Sequence, residues 1–379
     1  MRASAGEVAS IFGRLAILGV GLIGGSLGLR WRAGGAVRSV VGYGRNPAHL
    51  QRAVELGAID SAAPDLASAL AGADLVVLAA PIAACLALAP QVAALAEPGA
   101  LLTDVGSTKA AIGAAMREAL ACRARPAPVF IGGHPMAGAE RAGVEAADPY
   151  LFENAVWVLC PEAGTPPDVL ARLLGLVAAT GAHAVQLEPG RHDERVAAIS
   201  HLPQLAAVAL AAAVGERAAD DPGLVALAGG GFRDTTRIAQ SPAEMWIDVL
   251  ETNRGPVLAG LQRLQRRLGR LEAAVAAGDS AAIRAEFAFA AATRASVPAR
   301  QKGLLPSYHD LVLFVPDRPG VIGGLCCALG DRGINVQDIE ILRLREGEGG
   351  TLRLGFRTAA EAGAALEVLT ALGYRVQRR

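Results

Sequence analysis

Residues 15–24 read Leu-Ala-Ile-Leu-Gly-Val-Gly-Leu-Ile-Gly, an apolar run that leads directly into the pattern Gly-x-Gly-x-x-Gly. The apolar run predicts a buried strand, and the residues after the last glycine predict a helix. The first glycine allows a tight turn, the second lets a pyrophosphate approach the backbone, and the third lets helix and strand pack closely. Because a helix N-terminus attracts phosphate, the stretch predicts a dinucleotide site at Gly19, Gly21, Leu22, Ile23 and Gly24.

Short apolar runs alternate with alanine-rich helical stretches as far as residue 188. The runs that predict strands are 15–18, 39–42, 75–79, 101–105, 129–131 and 156–159. Strands that alternate with helices indicate βαβ units, so we expect a Rossmann-type, doubly wound parallel sheet over residues 14–188. The apolar stretches 15–29 and 75–90 resemble membrane signals. We interpret both as sheet and helix, because the first lacks a cleavage site and Pro81 interrupts the second.

The rest of the chain predicts two further domains. Residues 189–298 have helical patterns, with a leucine stripe that favours burial against a second subunit, and hence a homodimer. Residues 308–379 follow the order β-α-β-β-α-β, which is typical of a ferredoxin-like α+β domain.

The composition excludes several classes of function. The 379 residues are 52% hydrophobic and 19% charged, which excludes whole-chain disorder and allows two or three domains. Lysine plus arginine and aspartate plus glutamate number 36 each, so no basic field exists for nucleic acid or an anionic membrane. The five scattered cysteines favour reduced thiols and a cytoplasmic location. His192 and His201 have no third ligand at metal spacing, so no metal is expected.

The residues after the second strand bear on the choice of cofactor. An acidic residue there would bind the ribose of NAD, but this chain has Gly44 and Arg45. Arg45 is able to pair with the 2′-phosphate of NADP. In the alternative interpretation Arg45 is a solvated loop residue, so both NAD and NADP stay open.

Polar clusters stand out against the apolar background at 104–109, 132–140, 190–193, 200–204 and 231–239. The first two follow predicted strands, where open α/β sheets bind their ligands. The others lie in the helical region. Polar groups from two domains predict a cleft in which a substrate lies beside the nicotinamide.

These motifs, in this order, resemble the prephenate dehydrogenase family, which includes arogenate and cyclohexadienyl dehydrogenases. The C-terminal region, with Pro-Asp-Arg-Pro-Gly at 316–320, resembles an ACT domain. The resemblance implies an NAD(P)-dependent oxidative decarboxylation in tyrosine biosynthesis. A hydride leaves C4 of a cyclohexadiene, carbon dioxide leaves C1, and the ring becomes aromatic.

The resemblance also implies roles for individual residues. His134 would accept the proton of the 4-hydroxyl, because an imidazole changes charge near neutral pH, and Ser107 would contact the same hydroxyl and the cofactor. Arg237, rather than its neighbour Arg233, would bind the ring carboxylate through two hydrogen bonds. Further family positions that line or support the cleft are Lys109, Glu140, His192, Ser200, Asp234 and Trp246.

One position departs from the family pattern. Where the family often has a second histidine after Ser-His-x-Pro, this chain has Gln204. That residue would lie near the side chain on C1, which is pyruvyl in prephenate and alanyl in arogenate. A neutral amide tolerates an ammonium group better than an imidazolium does, so arogenate is the alternative substrate.

For the ACT region the resemblance implies an amino-acid effector, namely tyrosine. Its backbone contacts would be Asp317, Gly320, Asn335 and Val336. A purely structural module is the alternative. Two other classes also compete with the whole interpretation: a different two-domain dehydrogenase, and a non-catalytic sensor.

Overall fold

The computed structural model describes residues 10–121, 123, 127–138, 141–221, 223–297, 309–316, 318–345 and 349–378. The chain divides into two compact units, Met1–Leu304 and Leu305–Arg379. Each unit is described by itself below. The predicted domain bounds 14–188, 189–298 and 308–379 stay predictions.

The first unit contains an eight-stranded sheet in the order β3-β2-β1-β4-β5-β6-β7-β8. The first six positions follow the strand order of a dinucleotide-binding fold, which confirms the predicted class. The strands are β1 Phe12–Leu18, β2 Val37–Tyr43, β3 Ser61–Ala62, β4 Leu75–Leu78, β5 Leu101–Asp104, β6 Val129–Pro135, β7 Val156–Cys160 and β8 His183–Gln186.

Helices cover both faces of this sheet. Leu15 and Ile17 of β1 enter one hydrophobic core, whereas Ala16 and Leu18 enter the other. Burial on both faces explains why the strands are continuous apolar runs. The covering helices are α1 Leu22–Ala33, α2 Pro47–Glu55, α3 Leu66–Leu70, α4 Ile82–Leu95, α5 Ala110–Ala121 and α6 Pro167–Ala179.

The sheet differs from the prediction in three respects. Strand β7 is antiparallel to β6 and parallel to β8, so the sheet is mixed at one side. The two-residue β3 and the edge strand β8 carry no continuous apolar run, since their residues are exposed or only partly buried. Strand β6 continues through His134 to Pro135, where a loop was expected, because residues 132–135 pair with β7.

A helical region completes the first unit. Its α-helices are α7 Pro189–Val196, α8 Leu202–Asp220, α9 Gly230–Thr236, α10 Ala243–Thr252, α11 Arg254–Ala276 and α12 Ser280–Ser296. Ala197–His201 is a π-helical turn, and Leu224–Leu227 and Arg237–Gln240 are 3₁₀ turns. The helical pattern over 242–270 is divided at Asn253. The stretch Pro189–Asp220 is long and apolar enough to span a membrane by length and composition alone, with a mean hydropathy of 1.6 over an 18-residue window.

The second unit has the predicted ferredoxin-like order. Its elements are β9 His309–Val315, α13 Val321–Gly330, β10 Asp338–Arg345, β11 Gly349–Phe356, α14 Ala359–Ala371 and β12 Val376–Arg378. The antiparallel sheet has the order β10-β11-β9-β12, and Leu311, Leu313, Leu352 and Leu354 form its core with the helices. Strand β10 begins at Asp338, because residues 334–337 form an irregular connection.

Candidate active site

The glycine pattern forms a tight turn between β1 and α1. Gly19 has a φ of 105°, a conformation that favours glycine. A Cβ atom on Gly24 would lie 2.2 Å from the carbonyl oxygen of Gly19, so no larger residue fits there. No side chain caps the helix at Gly21, and a Cβ atom there would meet open space. The turn therefore leaves room, and uncapped N–H groups, for a pyrophosphate.

The two other residues predicted at the cofactor lie at the same edge of the sheet. Arg45 is exposed just beyond β2, next to Asn46, whose side chain caps α2. Ser107 is partly buried in the connection from β5 to α5. Parallel strands end at one edge, so both residues and the glycine turn are on the side where these folds bind nucleotides.

A buried ion pair joins the ends of β5 and β6. The Lys109 ammonium contacts the Asp104 carboxylate, and both side chains are fully buried. Lys109 Nζ also donates to the carbonyl of Gly133 at 2.7 Å, while the Gly133 amide donates to Asp104 Oδ1 at 3.1 Å. The Lys109 ammonium thus has its partners inside the protein. Lys109 supports the backbone beside His134 and does not line the cleft.

His134 contacts a second histidine. Its Nδ1 lies 2.8 Å from Nε2 of His192, and the two rings meet edge to face at 5.0 Å. Burial holds the pKa of His134 well below its ordinary value of 6.5, and the Lys109 ammonium lowers this pKa further. His134 is therefore neutral at neutral pH, as a proton acceptor must be.

His192 is placed differently from the sequence prediction, which put it on the substrate. Its ring is fully buried, and Nδ1 lies 2.7 Å from Oδ1 of Asp193. Both ring nitrogens therefore have protein partners. Its polar atoms are not available to a substrate, so His192 contacts His134 instead.

A second buried group links the helices around this histidine pair. Asn253 Nδ2 lies 3.2 Å from Nδ1 of His201 and donates to the backbone carbonyl of Asp193 at 2.8 Å. The ring of Trp246 packs edge to face on His201, with ring centres 5.9 Å apart. Burial lowers the pKa of His201 to about 4, so this histidine is also neutral. Asn253 occupies the break between α10 and α11, which explains why the helix is divided there.

Gln204 lies three residues beyond His201 on the same face of the chain. Its Nε2 donates to the carbonyl of Ile238 at 2.9 Å, and its side chain is buried. Ile238 belongs to the 3₁₀ turn that begins at Arg237, so Gln204 attaches the turn to α8. Arg237 itself is exposed on this turn. Two further predicted residues lie in the helical region. Ser200 is partly buried in the π-helical turn, and Asp234 is exposed on α9.

The remaining predicted residues lie elsewhere or outside the described part of the chain. Glu140 and Asp317 are among the residues that the structure does not describe. In the second unit, Gly320 precedes α13 with a φ of 85°, Asn335 is exposed between α13 and β10, and Val336 packs against the core.

Comparisons with known proteins identify the family of this chain. Family models for the prephenate dehydrogenase nucleotide-binding domain, the prephenate dehydrogenase dimerization domain and the ACT domain match residues 27–186, 188–289 and 309–373. Prephenate dehydrogenase of Bacillus subtilis is 34% identical over 343 residues, which cover 90% of this chain and 91% of that protein. The chain belongs to the prephenate dehydrogenase family.

Two solved structures from this family are similar in fold to this chain. Prephenate dehydrogenase from Aquifex aeolicus, in complex with hydroxyphenyl propionate and NAD+, has a TM-score of 0.70 and 28% identity, and the match covers 77% of this chain and 100% of that chain. Arogenate dehydrogenase from Synechocystis has a TM-score of 0.65 and 30% identity, with coverages of 75% and 100%. Members with both names thus share the fold of the first unit.

Two residues that support the candidate site were not identified from the sequence. Asp193 belongs to the polar cluster at 190–193, but no role was predicted for it. The signal that could have indicated one is the aspartate next to a histidine in the sequence, since a carboxylate can contact an imidazole. Asn253 had no such pattern, because it is a lone amide within an apparently continuous helix.

Proposed function

We propose that this chain catalyses the NAD(P)-dependent oxidative decarboxylation of prephenate to 4-hydroxyphenylpyruvate. The observation that carries the proposal is the state of His134. It is a neutral imidazole at the nucleotide edge of the sheet, with one nitrogen held by His192. No protein partner is seen for its Nε2 among the described residues, so this atom is left for a substrate.

The glycine turn fits the cofactor that the family uses. Gly21, Leu22, Ile23 and Gly24 would hold the pyrophosphate through backbone N–H groups, with the space at Gly21 unfilled, whereas Gly19 would serve by its turn conformation because its N–H donates to the carbonyl of Tyr43. When bound, the nicotinamide accepts the hydride that the substrate loses from C4. Ser107 would contact both the cofactor and the substrate hydroxyl, and Arg45 would meet a 2′-phosphate when NADP is the cofactor.

His134 and Arg237 would contact different groups of the substrate. The bond between the 4-hydroxyl oxygen and its hydrogen breaks, and the proton passes to Nε2 of His134. Arg237 would hold the ring carboxylate until it leaves as carbon dioxide, because a guanidinium keeps its charge at any working pH. Ser200, Asp234 and Glu140 would line the same cleft.

An assay that crosses prephenate and arogenate with NAD and NADP tests the proposal. Reduction of the nicotinamide with either cyclohexadiene is the expected result, whereas no turnover with either would favour a sensor. His134→Asn should bind cofactor normally and lose about 10²–10⁴-fold in kcat, the usual contribution of an acid–base group. A kcat close to that of the wild type would contradict the role of His134.

Arogenate is the second candidate substrate, and Gln204 favours it. A neutral amide replaces a group that carries charge when protonated, and its Oε1 is an acceptor for an ammonium. The likeness to the Synechocystis arogenate dehydrogenase supports this candidate. Gln204→His should shift the ratio of kcat/KM values toward prephenate. An unchanged ratio would count against a role for Gln204 in this choice.

The ACT domain would bind tyrosine and thereby regulate the enzyme. Gly320, Asn335 and Val336 lie in the connections on either side of α13, where their backbone groups would contact an amino acid, and Asp317 is the fourth predicted contact. A chain without residues 306–379 should keep its activity and lose its inhibition by tyrosine. Competitive inhibition that persists in this shortened chain would place tyrosine in the active site instead.

A homodimer would cover the apolar surface of the helical region. Leu258, Leu268, Val275 and Phe287 are each at least half exposed in the single chain, and the matching family model is a dimerization domain. The apolar stretch Pro189–Asp220 includes the buried pair His192 and Asp193, which fits a helix packed inside the protein. The described cysteines are free thiols, which fits a cytoplasmic location.

A further inference from the structure

The buried pair behind His134 has a definite order. His192 Nε2 faces His134 Nδ1 at 2.8 Å, and His192 Nδ1 faces Asp193 Oδ1 at 2.7 Å. Each contact joins ring nitrogens or a ring nitrogen and a carboxylate oxygen at hydrogen-bond distance. His192 has no exposed surface, so water does not compete for either contact.

Asp193 is held as a hydrogen-bond acceptor by a second helix. Its Oδ1 accepts from the backbone amide of Lys109 at 2.8 Å, and its Oδ2 accepts from that of Ala110 at 2.9 Å. These amides form the N-terminus of α5, where the helix dipole stabilises a negative charge. An ionised aspartate has no proton to donate, so the hydrogen in the contact with His192 must come from the imidazole.

That constraint places a proton on Nδ1 of His192, and the rest of the order follows for a His192 that carries no second proton. With its proton on Nδ1, a neutral His192 has a lone pair on Nε2 and accepts a hydrogen bond there. The donor is then Nδ1–H of His134. Since a neutral imidazole carries a single N–H, Nε2 of His134 is the unprotonated nitrogen.

We infer that His192 and Asp193 are positioning residues that set the tautomer of His134, so that its Nε2 is the proton acceptor for the substrate hydroxyl. The inference rests on the proposed function. As the O–H bond of the substrate breaks, an N–H bond forms at Nε2, and His134 becomes an imidazolium. Its Nδ1–H still donates to His192, which donates to Asp193, so the new positive charge faces a carboxylate through one intervening ring.

A matched pair of variants at His192 tests this role. Glutamine places an amide oxygen close to the position of the histidine Nε2, whereas methionine has similar length but no strong acceptor. His192→Met should lower kcat about 10²-fold or more with little change in KM, because loss of the correct tautomer of a histidine base costs as much as about 10⁴-fold in a catalytic triad. His192→Gln should keep kcat within about tenfold of the wild type.

Equal losses in the two variants would overturn the inference, since a merely structural role depends on the filled volume alone. Cofactor binding and tryptophan fluorescence show whether each variant is folded. A second measurement does not depend on turnover. Nitrogen-15 NMR of histidine-labelled wild-type protein, assigned with His134→Asn, should show Nε2 of His134 unprotonated and Nδ1 protonated at neutral pH. The reverse tautomer would overturn the inference, whereas wild-type protein without turnover would overturn only the proposed function.

Discussion

Replacement of Lys109 by methionine should destabilise the first unit far more than a change to a surface ion pair. The ammonium of Lys109 and the carboxylate of Asp104 have no exposed surface. Methionine fills a similar volume but leaves the carboxylate without its countercharge. Removal of one partner from a buried pair costs about 3–5 kcal/mol. Two backbone amides, those of Gly106 and Gly133, still donate to Asp104, so we expect a loss near the lower value.

Urea unfolding followed by tryptophan fluorescence is the appropriate assay. The three tryptophans, Trp31, Trp157 and Trp246, all lie in Met1–Leu304, so the signal reports the first unit alone. Wild type and variants are compared at one protein concentration, because a dimer unfolds in a concentration-dependent way. A loss of about 3 kcal/mol is measurable against the usual total of about 5–15 kcal/mol.

Two controls make the prediction for Lys109 decisive. Arg117→Met removes an exposed pair with Glu162 and should cost about 0–1 kcal/mol, since solvent screens such pairs. The double variant Asp104→Asn with Lys109→Met should regain part of the lost stability, because it removes the uncompensated charge. If Lys109→Met costs no more than Arg117→Met, the assignment of a buried ion pair to the ends of β5 and β6 is wrong.

Three further outcomes are expected. Because the pKa of His134 is held well below 6.5, kcat/KM should stay on its plateau as the pH falls through 6.5 and decline only below it; an acidic limb centred at or above 6.5 would contradict this. If Arg45 binds a 2′-phosphate, Arg45→Ala should lower kcat/KM for NADP about tenfold or more relative to NAD, since a charged hydrogen bond contributes about 1.5–3 kcal/mol; a preference for NAD that the change leaves unaltered would argue against it. Phe287→Glu should weaken the dimer in light scattering whereas Leu95→Glu, at an exposed site on α4, should not; a monomeric wild type would remove the basis for this expectation.

The fold was predictable where local sequence and final environment agree. The run at 15–18 and the glycines after it determine β1, the turn and α1 through contacts between near neighbours in sequence. The direction of β7 was not predictable, because its apolar pattern is the same for a parallel or an antiparallel partner. The edge strand β8 was missed since only alternate residues, such as His183 and Val185, are partly buried.

The candidate site likewise contains residues that the sequence indicates and residues that it does not. His134, Ser107 and Arg237 stand in motifs, so the sequence alone predicts that they share a cleft. The role of His192 depends on a partner 58 positions away, and that of Asp193 on amides 83 and 84 positions away. Contacts between residues so far apart in the sequence arise from the packing of α7 on α5. No periodic pattern in the sequence indicates them.

The carboxylate of Asp193 also connects the helical region of the first unit to its nucleotide-binding sheet. Its helix α7 belongs to the helical region, whereas the amides that it accepts begin a helix of the nucleotide-binding sheet. Any separation of these parts along the cleft would break two charge-assisted hydrogen bonds and would move His192, which lies on α7 beside Asp193, away from Nδ1 of His134. The tautomer of His134 would thus depend on contact between the helical region and the sheet. A cleft that opened at this contact would leave His134 without the partner that orients its proton.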